Sequence, residues 1–107
     1  MDTPQHCMVM VTAPCEEEAT RIINRLLNDK IVACGNIVKD LKSTFWWQGK
    51  LDNADEVLII FKTTTANLIK LEQAVLEEHS YEVPEIIALP IIWSHNGYAD
   101  WIDEVVE

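Results

Sequence analysis

The chain predicts an α+β sandwich, a four-stranded antiparallel sheet with two long helices on one face, and three observations predict it. Short apolar runs alternate with stretches of helical periodicity in the order β-α-β, β-α-β, followed by one more helix. Gln48-Gly49 joins the two central extended segments with a hairpin turn signal. Right-handed crossovers then place both long helices on the same side of the sheet, the ferredoxin-like arrangement.

Each element has its own signal. Cys7–Thr12 reads as a first strand with almost no polar face, ended by Pro14. Glu16, Glu17 and Glu18 suit a first helical turn, and Ala19, Ile22, Ile23, Leu26 and Leu27 recur at helical spacing. Residues 16–29 therefore form an amphipathic helix with Arg21, Arg25 and Asn28 outward. Ile31–Cys34 opens an extended segment with a bulge or bend expected at Gly35-Asn36, continuing through Ile37-Val38 and Thr44–Trp47. Leu51–Asp55 reads as a polar loop tip and Val57–Phe61 as the third strand, together a long hairpin projecting from the body. Thr65 is the expected N-cap of a second helix whose buried side carries Leu68, Leu71, Val75 and Leu76. Ile86–Trp93 is an apolar fourth strand, and Tyr98, Trp101, Ile102 and Val105 give the last helix its stripe.

The 107 residues, 49% hydrophobic, fit one domain spanning 1–107. Residues 57–61 and 86–93 do not alternate, so the sheet face away from the helices is apolar too. Each large apolar side chain left wet forgoes roughly 1.5–3 kcal/mol. Burial against other copies of the chain is therefore expected, with the hairpin reaching a neighbour.

Eighteen acidic against eight basic residues give a net charge of −10, which argues against a nucleic-acid partner. No apolar stretch approaches the length of a membrane span, and no secretory signal is evident. Cys7, Cys15 and Cys34 make an odd count without metal-type pairing, which suits free thiols in a reducing compartment; the expected location is the cytoplasm.

The most distinctive segment is His79-Ser80-Tyr81-Glu82-Val83-Pro84-Glu85, which sets an imidazole, a phenol and two carboxylates in a turn directly before an apolar strand. His79 is the leading candidate metal ligand, because neutral imidazole suits copper and zinc. Glu78, Glu82 or Glu85 could add oxygen ligands, although adjacent helical residues point about 100° apart. The alternative is a helix exit whose polar groups bind backbone. Cys34 is either a packed thiol or part of a cleft between subunits. Cys15 at a helix start has a reason for reactivity, opposed by three glutamates; it reads equally as a surface cysteine. His6 and Cys7 lie near a terminus, and His95 reads as a loop residue. Trp46 and Trp47 face opposite sides of a strand and suit an interface core. Lys62 needs an acidic partner, and meeting Glu85 or Tyr81 would form a polar cleft beside His79.

Val11-Thr12-Ala13-Pro14, Ala33-Cys34-Gly35-Asn36-Ile37, Phe45-Trp46-Trp47-Gln48-Gly49-Lys50, Lys62-Thr63 and His79 through Pro90 together resemble the CutA divalent-cation-tolerance family, over about Met8 to Trp101. The resemblance implies a ferredoxin-like fold in a tightly packed homotrimer with inward-facing sheets. It also implies a cytosolic protein of divalent-cation tolerance, copper binding as in some members, and no enzymatic reaction. Departures stand beside the likeness. Val11 occupies the place of a cysteine found in copper-binding members, Glu78-His79 that of a histidine pair, Ser80 that of a proline, and Cys15 that of a capping Asp or Ser.

Three other functions compete with cation binding. A signalling trimer of the nitrogen-regulatory PII type would bind a small anion between subunits or present its hairpin to a protein partner; Lys62 is the one obvious strand-end cation for it. A scaffold trimer would need no cleft chemistry. An acylphosphatase-like enzyme would need an arginine cradle, yet Arg21 and Arg25 lie on a predicted solvent face, and no Ser-His-Asp or Cys-His arrangement is apparent.

Overall fold

The computed structural model describes residues 4–107. Strand β1 (His6–Ala13) leads into helix α1 (Glu16–Asn28), then β2 (Cys34–Trp47) and β3 (Lys50–Thr64). A 3-10 turn at Thr65–Asn67 precedes α2 (Leu68–Glu78), followed by β4 (Ile86–Pro90) and α3 (Asn96–Val105). The sheet order is β2-β3-β1-β4 with every pairing antiparallel, the predicted ferredoxin-like α+β arrangement.

Strand periodicity divides the sheet into two apolar faces. Val9, Val11, Ile59 and Phe61 pack with Ile22 and Leu26 of α1 and with Leu71 and Val75 of α2, forming the core. Gly35 belongs to this face by register with Phe61, and a Cβ there would lie 2.9 Å from Ile23 Cγ1, so glycine lets α1 approach the sheet. The opposite face carries Met8, Met10, Leu58, Ile60, Val38, Ile87 and Leu89 in register. Only α3 packs on it: Ile102 is buried, and His6 reaches Asp103 at 2.8 Å. Val38, Ile87 and Leu89 remain exposed, and beyond β4 Ile92 is 90% and Trp93 80% exposed. The fourth strand is thus shorter than the predicted 86–93, and within one chain only Ile86 packs against the core.

The hairpin is longer and more regular than its composition suggests. Residues 51–55 are strand rather than loop, paired from Leu41 opposite Glu56 to Trp47 opposite Lys50. Polar Asp52, Asn53 and Asp55 do not interrupt it, because a two-stranded ribbon beyond the body meets water on both faces. Its turn is only Gln48-Gly49, with φ of 51° and 80°, the left-handed pair that a two-residue hairpin needs. The bulge falls between Val38 and Leu41, not at Gly35-Asn36, and puts Asp40 at φ 62°.

Helix α2 also starts differently from the prediction. Thr65 is no N-cap: its hydroxyl donates to the Pro4 carbonyl at 2.6 Å, and its N–H donates to Gln5 O at 2.9 Å. Asn67, just before the helix, is buried and donates its side-chain amide to Ile31 O at 3.0 Å and Glu107 O at 2.9 Å. Ala74 takes the buried position on the helix, while Leu76 is half exposed.

Candidate functional site

The turn after α2 is built around a buried imidazole. The His79 side chain has no exposed surface. Its Nε2 lies 2.7 Å from the Thr12 carbonyl, and its Nδ1 accepts the Tyr81 N–H at 3.0 Å. A carbonyl can only accept and a backbone N–H can only donate, so these partners fix the neutral tautomer with its proton on Nε2. One residue on, the Ser80 N–H and hydroxyl both donate to Glu18 Oε2, at 3.1 and 3.0 Å. Glu18 is itself buried in the first turn of α1, where the helix dipole favours a carboxylate.

Tyr81 continues the network. Its ring stands 4.7 Å from the His79 ring at a 46° tilt, and its hydroxyl donates to Glu56 Oε2 at 2.8 Å. Burial, followed by the Glu56 carboxylate, pushes the phenol well above its ordinary range, so it stays a donor. Among the described residues every buried side-chain nitrogen and oxygen is hydrogen-bonded. Beside this network an open groove of about 600 Å³ runs between the turn and the base of the hairpin, lined by Thr12, Lys42, Phe45, Glu56, Tyr81 and Glu85 among others.

The structure does not gather the predicted metal ligands. Both His79 nitrogens are spent on the protein's own backbone, so the imidazole offers no lone pair to an ion in this arrangement. Glu78 turns to α1, 3.5 Å from Arg21 Nε and 3.1 Å from Arg25 Nη1. Glu82 and Glu85 are exposed on the turn. Among the described residues no three His, Cys, Asp or Glu side chains converge as a metal site.

The cleft candidates separate into two places. Tyr81 and Glu85 line the groove, but Lys62 meets neither of them. It donates to the Asn36 side-chain carbonyl on the open apolar face, because Lys62 pairs with Cys34 and Met8, toward the other end of the sheet from Thr12. Cys34 Sγ lies there too, 3.7 Å from the Tyr98 hydroxyl. Trp46 and Trp47 are both exposed near the hairpin tip. His95 has a defined role, accepting the Gly97 N–H at 3.2 Å as N-cap of α3.

Glu18, Glu56, Asn36 and Tyr98 are site-forming residues that sequence reasoning missed. Glu18 had a readable signal: with Ile22 and Leu26 it follows a spacing of four and so lies on the buried stripe of α1. Glu56 had none, since its partner is 25 residues away.

The fold and the His79–Glu85 turn define a ferredoxin-like α+β protein with a rigid polar corner beside an open sheet face. Residues 7–105 match the family model of the CutA1 divalent ion tolerance protein, and the chain belongs to that family. The divalent-cation tolerance protein CutA of Archaeoglobus fulgidus is 44% identical over 102 residues, covering 95% of this chain and 99% of that one. A solved structure from that organism, described as the periplasmic divalent cation tolerance protein CutA, aligns at TM-score 0.93 over the same shares of both chains. The divalent cation tolerance protein (Cut A1) of Thermus thermophilus aligns at TM-score 0.93 with 40% identity, covering 95% of this chain and 99% of that one. No helix among the described residues is long and apolar enough to cross a membrane.

Proposed function

We propose that the protein acts in divalent-cation tolerance as a homotrimer and binds copper or another divalent cation weakly. The single observation that carries the assembly is the second sheet face. Met8, Met10, Leu58 and Ile60 lie on it, and Val38, Ile87 and Leu89 stay exposed in one chain, a patch that soluble monomers rarely present. Family membership supports the link to cations. The reading is of a binding protein rather than an enzyme, in line with a family named for tolerance.

Weak affinity follows from what the turn offers. His79 is committed to Thr12 and Tyr81, which leaves the exposed carboxylates of Glu82 and Glu85 as accessible ligands, completed by a neighbouring copy. Three free thiols support a cytoplasmic setting. Calorimetric titration of copper and zinc, with sedimentation of the same samples, tests the proposal. A mass of three chains, and heats that fall on Glu82→Gln plus Glu85→Gln but not on His79→Ala, are expected. A monomer, or isotherms unchanged by the double substitution, would overturn it.

A further inference from the structure

Lys62 is the anomaly on the open face. It is half-buried, and its rung of the sheet holds Cys34, Met8 and Leu89; the next rung holds Asn36, Ile60, Met10 and Ile87. Other lysines here find carboxylates: Lys39 has Glu16 at 3.2 Å and Lys42 has Asp55 at 2.7 Å. Among the described residues no carboxylate lies within ion-pair distance of Lys62, whose partner is the neutral amide oxygen of Asn36. The nearby acid of α3, Asp103, is already engaged by His6 at 2.8 Å. In a chain with ten more acidic than basic residues, a lysine left without an acid on an apolar surface is costly unless something else neutralises it.

The neighbours of Lys62 are hydrogen donors with little to do. An ammonium has three protons, and Asn36 takes one. Cys34 stands directly opposite Lys62, where paired residues bring their Cβ atoms within about 5 Å. The thiol is 3.7 Å from the Tyr98 hydroxyl, a long contact that leaves the phenolic proton free to turn to a better acceptor. Burial, then Cys34, holds that phenol above its ordinary range, so it keeps its proton at neutral pH. Around these donors lie Met8, Met10, Ile60 and Leu89, which offer apolar contact and no competing acceptor.

We propose that Lys62, Tyr98 and Cys34 form a binding site for a small organic carboxylate, its oxygens held by the ammonium and the phenol and its apolar body laid along Met10 and Ile60. A carboxylate fits better than a highly charged phosphate ester: one unpaired lysine balances one negative charge, and the walls are hydrocarbon. The inference stands apart from the cation reading and is tested on metal-free protein, so that either can fail alone.

The probe is benzoate, with benzamide as its uncharged counterpart, added to the intact protein and followed by calorimetry and by amide NMR shifts of β2 and β3. Expected are saturable benzoate binding with shifts centred on Cys34 and Lys62, and no binding of benzamide. Lys62→Met should weaken benzoate by about tenfold or more, Tyr98→Phe by a few-fold, and Lys62→Arg should retain it. Sedimentation and thermal melting of each variant establish that it is folded and assembled. Failure of benzoate to bind, equal binding of benzamide, or equal benzoate affinity in Lys62→Met would each overturn the proposal. Dissociation of the assembly by Lys62→Met, with no benzoate bound by wild type, would overturn it by showing that a neighbouring copy supplies the acid.

Discussion

Tyr81 donates its hydroxyl to Glu56 at 2.8 Å, and this one bond ties the turn after α2 to the base of the long hairpin. Glu56 is buried, so its carboxylate depends on that donor. Tyr81→Phe should therefore cost about 1–3 kcal/mol in denaturant unfolding, the cost of leaving a buried acceptor unpaired. Adding Glu56→Gln should recover part of the loss, because a neutral amide tolerates desolvation better than an unpaired carboxylate. Additive losses in the double variant would show that the two groups do not act together.

The same bond sets a pH dependence. The phenol of Tyr81 is raised by burial and then by Glu56, so its contribution is fully present below the unfolded phenol value of about 10. Above that pH the unfolded chain releases the proton first, and stability falls as pH rises toward the folded value. Denaturation midpoints measured from pH 8 to 11.5 should decline in wild type and decline less steeply in Tyr81→Phe. Parallel curves would remove Tyr81 as the titrating group.

The three thiols should differ in reactivity. Cys15 is exposed at the start of α1, while Cys7 is buried and its thiol is pushed up by that burial, against a small opposing hydrogen bond from Thr65. An aromatic disulfide reagent at neutral pH should label Cys15 promptly and Cys7 only on unfolding, as read by mass spectrometry of proteolytic fragments. Rapid labelling of Cys7 in folded protein would contradict the packing of β1.

Gly35 makes a steric prediction. A Cβ would lie 2.9 and 3.0 Å from the two γ carbons of Ile23, whose side chain is held in the core. Gly35→Ala should destabilise by about 1–3 kcal/mol. Combining it with Ile23→Ala should cost less than the sum of the two single changes, since the truncated side chain vacates the contested space. Strict additivity in thermal or chemical unfolding would count against the contact.

Elements set by local periodicity were legible in the sequence. Ile22 and Leu26 show the buried stripe of α1, and Gln48-Gly49 gives the hairpin turn directly. Two strands with apolar residues on both faces indicated a second face in need of cover, and Ile87 and Leu89 do stand exposed in one chain. The site was less legible because its partners are remote. His79 looks like a ligand when read with Glu78 and Glu82, but its actual partners include Thr12, 67 residues away. Residues 51–55 misled for a different reason: polar composition indicates contact with water, and a protruding ribbon meets water without ceasing to be a strand. Lys62 was rightly marked as needing an acid, but register rather than composition decides that it faces Cys34 and Asn36 instead of Tyr81.

The short turn Thr65–Asn67 holds more of the chain than its length suggests. Thr65 bonds Pro4 and Gln5, and two residues later Asn67 bonds Glu107. Tension applied between Gln5 and Glu107 would thus be carried through a single turn of backbone before it reached the sheet. The first event under load should be the peeling of those few bonds one after another, a low-force opening, rather than the simultaneous shear of β1 against its neighbours.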